Sequence, residues 1–283
     1  MRDGLREIFE AGVARAMPGP AVTAALPGAA PDLILALGKA AIAMARPALA
    51  RFPGTPCIVV TNPENAAELL GARVIAGGHP IPDAGSAEGG AALLAAAEAL
   101  GAGQRALVLI SGGGSALAVA PLPGVTLAEK AEVSRLLLGA GLDIRAMNLV
   151  RQNLSRLKGG GLARAIAPAE ATALILSDVV GDDLAAIASG PVVPPLGDPA
   201  AARRLLEEAG LWMRIPESCR QALAAARPAP TPRSRPGWSG RTPCRWRRWR
   251  RRRPRRGSIP CRWRATWPRR RPAWRRRPAA GRG

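Results

Sequence analysis

The chain has 283 residues, enough for one large domain or two small ones with a real core. Its formal charge of +21 is unevenly placed: residues 1–220 hold 19 Lys+Arg and 20 Asp+Glu, whereas residues 221–283 hold 22 Arg and no acid. No apolar run reaches the roughly 18 residues of a membrane span, MRDGLREIFEAG lacks the apolar stretch of a secretory signal, and Cys57, Cys219, Cys244 and Cys261 form no C-x-x-C pair. These features count against a membrane protein, a disulfide scaffold and a zinc module, and the chain is expected to be cytoplasmic with reduced thiols.

Short apolar runs of strand length follow in order: LILAL (33–37), CIVV (57–60), RVIAG (73–77), ALVLI (106–110) and TALILS (172–177). Between them lie Ala/Leu/Glu stretches of helical character, at 40–52, 85–103, 127–141 and 162–166. Strands apolar on both faces, alternating with helices, predict an α/β fold: a Rossmann-like parallel sheet covered by helices on both faces. It spans residues 1–224 and is followed by a disordered basic tail, 225–283.

In such sheets ligands bind beyond the carboxyl ends of the strands. The residues there are GK (38–39), TNPEN (61–65), GGHPIPD (77–83), SGGGSAL (111–117) and SDVVGDD (177–183). Glycines, hydroxyls, carboxylates and a lysine suit phosphate and metal rather than an apolar ligand. In Ser111-Gly112-Gly113-Gly114-Ser115 the glycines let backbone N–H groups approach an anion; the alternative is an ordinary strand–helix turn. Lys39 is either a point charge for a phosphoryl oxygen or a solvated residue at a helix start. Lys158, before three glycines, reads as an anion contact or, by spacing, preferably as part of a helix cap. Of Asp178, Asp182 and Asp183, one is expected to cap a helix. Asp178 is expected to be functional, as a Mg²⁺ ligand or as the base for an attacking hydroxyl, with Asp182 as a second candidate ligand. His79, the only histidine, is expected to fix a rigid turn in HPIPD, the alternative being an imidazole that contacts ligand; Asp83 and Ser86 read as polar contacts or as turn and cap residues. No histidine partners Ser111 or Ser115, so a serine hydrolase is disfavoured. No Walker loop and no strand-following G-x-G-x-x-G occur.

Taken in order, LALGKAAIAMA (35–45), TN (61–62), GGHPIPDAGS (77–86), LISGGGSAL (109–117), MNLVRQNLSRLKGGGLA (147–163) and LILSDVVGDDLAAIASGP (174–191) resemble the glycerate 2-kinase family, whose members carry a C-terminal MOFRL domain and often the label hydroxypyruvate reductase. The resemblance implies an ATP-dependent kinase acting on the 2-hydroxyl of (R)-glycerate with Mg²⁺. It implies that Lys39 contacts substrate or the transferring phosphoryl group, that the Ser-Gly-Gly-Gly-Ser loop cradles phosphate, and that Asn148, Arg151 and Lys158 touch ligand. The chain departs from the family pattern at Ala146, Gln152, Asn153 and Gly161, where Glu, Lys, His and Arg are usual.

Residues 225–283 resemble nothing in that family. CRWRRWRRRRPRR (244–256) carries nine arginines and two tryptophans and reads locally as a nucleic-acid-binding arm, acting non-specifically through phosphate contacts and stacking. An unrelated disordered fusion is the second reading. The favoured third is a shifted reading frame, because GC-rich codons for Ala, Gly and Leu read one base off give Arg, Pro and Trp. On that reading the tail replaces a second domain and the kinase is impaired. The alternatives are a nucleic-acid-binding protein and a hydroxypyruvate reductase.

Overall fold

The computed structural model describes residues 2–225 and 245–249. Five strands, β1 (Leu33–Leu37), β2 (Cys57–Thr61), β3 (Ala72–Ala76), β4 (Arg105–Ile110) and β5 (Glu170–Leu176), run parallel in the order β3-β2-β1-β4-β5. A sixth, β6 (Arg245–Trp249), pairs in parallel beside β5. These five residues of the expected tail thus form a strand; the rest of that expectation lies outside the described residues. Ten helices occur among the described residues: α1 (Arg2–Ala16), α2 (Pro18–Ala25), α3 (Ala41–Arg51), α4 (Ala84–Glu98), α5 (Gly114–Leu117), α6 (Leu127–Gly139), α7 (Ile144–Asn153), α8 (Gly161–Ile166), α9 (Pro199–Glu208) and α10 (Glu217–Ala224). None is long and apolar enough to cross a membrane.

Every residue of β1 is buried, because the sheet is covered on both sides. Leu33, Leu35 and Leu37 point to one face and pack with Leu93 and Leu94 of α4, Leu117 of α5 and Leu162 and Ile166 of α8. Ile34 and Ala36 point to the other, under Val22 of α2 and Ala41, Met44, Ala45 and Leu49 of α3. Each large side chain so buried stabilises the fold by roughly 1.5–3 kcal/mol. The five strands lie within two residues of the apolar runs that predicted them.

The sequence reading did not anticipate a second, helical layer. α6, α7, α9 and α10 enclose their own core of Val133, Leu137, Val150, Leu154, Leu206, Leu211 and Cys219. Three of its helices start at side-chain caps: Thr126 with Glu129 for α6, Asp143 for α7 and Asp198 for α9. Each cap stabilises its helix by about 1 kcal/mol. This layer carries Asn148 and Arg151.

Candidate functional site

The sheet reverses its winding at β1 and β4. The chain leaves β1 into α3 on one face and leaves β4 into α5 on the other, so the two loops part and open a crevice at the strand ends. The loop after β1 is Gly38-Lys39; the loop after β4 is Ser111–Gly114.

The two loops are bonded into one surface. Ser111 N–H donates to the Leu37 carbonyl (2.9 Å) and Lys39 N–H to the Gly112 carbonyl (2.9 Å). The Ser111 hydroxyl accepts from Ala40 N–H (3.0 Å) at the start of α3. The Lys39 carbonyl accepts from Asn65 Nδ2 (3.0 Å) and the Thr61 hydroxyl (3.5 Å). Gly38 sits at φ +121°, and a Cβ there would come within 2.5 Å of the Ser111 carbonyl oxygen.

Charged groups gather over the glycines. The Asp178 carboxylate lies so close over Gly112 that a Cβ on that glycine would collide with it. Gly113, at φ +84°, faces Lys39 and His79: a Cβ there would stand 3.0 Å from Lys39 Cγ and 3.4 Å from His79 Cδ2. The heads of Lys39, His79 and Asp178 are exposed. Between them, the N–H groups of Gly112, Gly113, Gly114 and Ser115 donate to no acceptor among the described residues. Four adjacent open donors beside a lysine suit an anion, and the Asp178 carboxylate over the first glycine suits a cation accompanying it.

A buried polar tier holds this loop from below. The Ser115 hydroxyl bonds the Ser189 hydroxyl (2.8 Å), which donates to Asn148 Oδ1 (3.0 Å). Lys158, buried, donates from Nζ to the Ser115 carbonyl. Ala188 and Ser189 hold positive φ (51° and 58°), a conformation costing about 1–3 kcal/mol per residue. The turn is pinned by Gly159 N–H and Gln152 Nε2 on the Ser189 carbonyl (3.1 and 3.2 Å). Gln152 Oε1 also accepts from Leu196 N–H (2.9 Å), and Asn153 Nδ2 donates to the Leu149 and Gly197 carbonyls. Two positions that depart from the family pattern are thus tied into the helical layer. Arg151 reaches toward α6, with Nε donating to the Ser134 hydroxyl (3.2 Å).

The site residues expected from sequence therefore separate. Lys39, Ser111, Gly112, Gly113, Gly114, Ser115 and Asp178 come together; Asn148 and Lys158 lie beneath them; Arg151 points into the helical layer. Asp183 holds a turn and pairs instead: its carboxylate accepts from Ala185 N–H (3.0 Å) and meets Arg145 Nη1 (2.7 Å). The helix that one of the three aspartates was expected to cap does not form there; residues 184–186 are a turn leading into a 3-10 turn that starts from Ala186 without a side-chain cap. Asp182 occupies a turn at φ +54°. Among the described residues no group of three or more His, Cys, Asp or Glu is arranged to hold a metal. Asp83 and Ser86 form the capping box of α4, and both accept from Gly78 N–H. The hydrogen bonds donated by Ser86 N–H and Gly78 N–H hold the Asp83 carboxyl below its usual range.

His79 belongs to the site more closely than a lone histidine in HPIPD suggested. Sequence reasoning missed Glu64. Its carboxylate pKa is lowered by its own backbone hydrogen bond, by Asn62 and, more weakly, by the nearby charges of His79 and Lys39. Its place in TNPEN, directly after a strand, was the available signal.

Lys130 is the other buried amine. Nζ donates to the carbonyls of Arg151 (3.1 Å) and Leu154 (2.9 Å), closing the carboxyl end of α7. Burial holds its pKa down to about 7. Between about 7 and the ordinary 10.5 the unfolded chain binds a proton that the folded chain has released, so stability rises with pH. Above about 9 the buried Cys57 thiol, pushed up to about 12, opposes this: the unfolded chain ionises first. The unfolding free energy from urea melts is therefore expected to climb from pH 7 to pH 9, by on the order of 1–2 kcal/mol. Lys158, also buried with its pKa held well down by burial, adds to the same climb, so Lys130→Met should make it shallower rather than abolish it; an unchanged slope would show that Lys130 does not contribute.

Comparisons with known proteins agree with this architecture. The family described as a domain of unknown function, DUF4147, matches residues 4–224. The chain belongs to this family, the N-terminal domain of the glycerate 2-kinase family. A "Putative hydroxypyruvate reductase" of Agrobacterium vitis is 40% identical over 233 residues, covering 81% of this chain and 53% of that protein. The "Glycerate 2-kinase" of Pyrococcus horikoshii is 42% identical over 193 residues, 66% of this chain and 42% of that one. The crystal structure of glycerate kinase from Thermotoga maritima superposes with a TM-score of 0.73 at 34% identity, covering 78% of this chain and 54% of that one. The chain thus spans about half the length of the relatives it matches.

Proposed function

We propose that residues 1–224 are the phosphate-binding domain of an ATP-dependent glycerate 2-kinase of the cytoplasm, which transfers a phosphoryl group from ATP to the 2-hydroxyl of (R)-glycerate. The observation that carries this reading is the run of four open N–H donors, Gly112 to Ser115, flanked by Lys39 and Asp178 at the sheet's switch point. Phosphoryl transfer needs positioning and charge stabilisation more than covalent help from the protein. The N–H groups and Lys39 Nζ hold phosphate oxygens and offset charge that grows during transfer. The Asp178 carboxylate, exposed and set against Gly112, fits the one or two carboxylates that Mg²⁺ takes in company with phosphate. Mg²⁺ bound there supplies charge neutralisation across the phosphates. On this reading Asp178 is also the candidate base for the proton of the attacking hydroxyl.

On this reading the second wall of the cleft lies in the part of the full-length relatives that this chain does not match, since it covers 53–54% of them. With ATP and glycerate, turnover by this chain is expected to fall at least about 100-fold below that of a full-length relative, since misplacement by an ångström already costs that much. What turnover remains should vanish in Lys39→Ala. Full-length-like turnover would contradict the halved cleft, and activity indifferent to Lys39→Ala would contradict the site.

A further inference from the structure

α1 is the helix of the amino-terminal half whose apolar residues find no cover among the described residues. Every described side chain from Gly4 to Ala14 is exposed, and nothing comes within 4 Å of where a Cβ would stand on Gly4 or Gly12. Leu5, Ile8, Phe9 and Val13 are 45–72% exposed and recur at helical spacing on one face of α1. Scattered exposed apolar residues need no explanation, but a continuous stripe marks an interaction surface.

The charges on the helix choose among occupants. A helix that lies on an anionic membrane carries Lys and Arg on its polar face, whereas α1 mixes Arg6 with Glu7 and Glu10. Arg6 and Glu10, four residues apart and ion-paired at 2.8 Å, lie on the same flank of the stripe. When two such helices pack antiparallel about a two-fold axis, each flank meets its own copy. Arg6 of one then faces Glu10 of the other twice over, while Leu5, Phe9 and Val13 interdigitate along their four-residue ridge.

We propose that α1 is a homodimerisation helix that pairs antiparallel with α1 of a second copy of this chain. The stripe offers on the order of 500 Å² per helix, against the roughly 800 Å² per partner of a standard stable interface, so the dimer is weak and concentration-dependent. The inference stands apart from the reading of the phosphate site.

Light scattering coupled to gel filtration on the full chain, nuclease-treated and in salt that strips nucleic acid from the arginines, tests it. The expected result is a mass that rises toward twice that of the chain with concentration. Ile8→Glu with Phe9→Glu should return it to the single-chain mass, with the thermal melt of the body unchanged. Arg6→Glu, which sets acid against acid, should weaken the dimer about tenfold, and adding Glu10→Arg should restore it. A single-chain mass at every concentration would overturn the proposal and leave the stripe to the second half that full-length relatives possess. A dimer indifferent to the Ile8/Phe9 pair, or weakened by Arg6→Glu but not restored by the swap, would overturn it as well.

Discussion

Gly38→Ala is expected to destabilise the fold by about 2–5 kcal/mol, a drop in Tm of roughly 5–15 °C. Two costs add. The backbone at φ +121° is one that side chains rarely adopt, and the new methyl would press on Ser111, whose carbonyl carbon would lie 2.8 Å away. Ser111 cannot yield easily, because its N–H is bonded to Leu37 and its hydroxyl to Ala40. Gly54→Ala separates the terms. Gly54 also has a positive φ, +79°, but nothing lies within 4 Å of its Cβ position, so only the backbone cost of about 1 kcal/mol should appear. Equal losses in the two variants, measured by thermal or urea melts, would mean that the Gly38–Ser111 contact is not the junction that binds the two site loops.

Gly112→Ala should do the opposite: little to stability, much to the site. The group in the way is the Asp178 carboxylate, the exposed end of a side chain that can swing aside, so the fold should lose no more than about 1 kcal/mol. Swinging aside takes the carboxylate off the glycine loop. MgADP affinity is therefore expected to fall at least about tenfold, or 1.4 kcal/mol. Asp178→Ala should match it. The double variant should be no worse than either single one, because both remove the same interaction. Fully additive losses would show that Gly112 and Asp178 act separately.

Much of this was legible in the sequence for a simple physical reason. A strand buried on both faces has to be apolar throughout, so LILAL and ALVLI announced the parallel sheet, and the sheet rule pointed to GK and SGGGS at its switch point. The helical layer was less visible. Its apolar positions are spread over four helices separated by loops, and buried Asn148, Gln152, Asn153 and Lys158 interrupt the pattern a core usually shows. Lys158 illustrates the limit. Its place before three glycines suggested a cap or an anion contact, yet its amine runs beneath the loop to the Ser115 carbonyl, a tertiary contact across 43 residues that no local spacing encodes. His79 was underrated for a related reason: its value to the site comes from lying across from Gly113, not from neighbours in HPIPD. The run CRWRRWRRRRPRR, the most conspicuous feature of the composition, contributed nothing to the placement of the site.

The arginines of that run bind any phosphate compound, so bulk affinity cannot test the central claim; the location of binding can. Titration of the ¹⁵N-labelled chain with MgADP, followed amide by amide, reads it directly. Open N–H donors that receive phosphate oxygens should report the largest shifts at Gly112, Gly113, Gly114 and Ser115, with Lys39 beside them, and Gly112→Ala should abolish those shifts. Shifts confined to residues 225–283, with the glycine loop silent, would contradict the account.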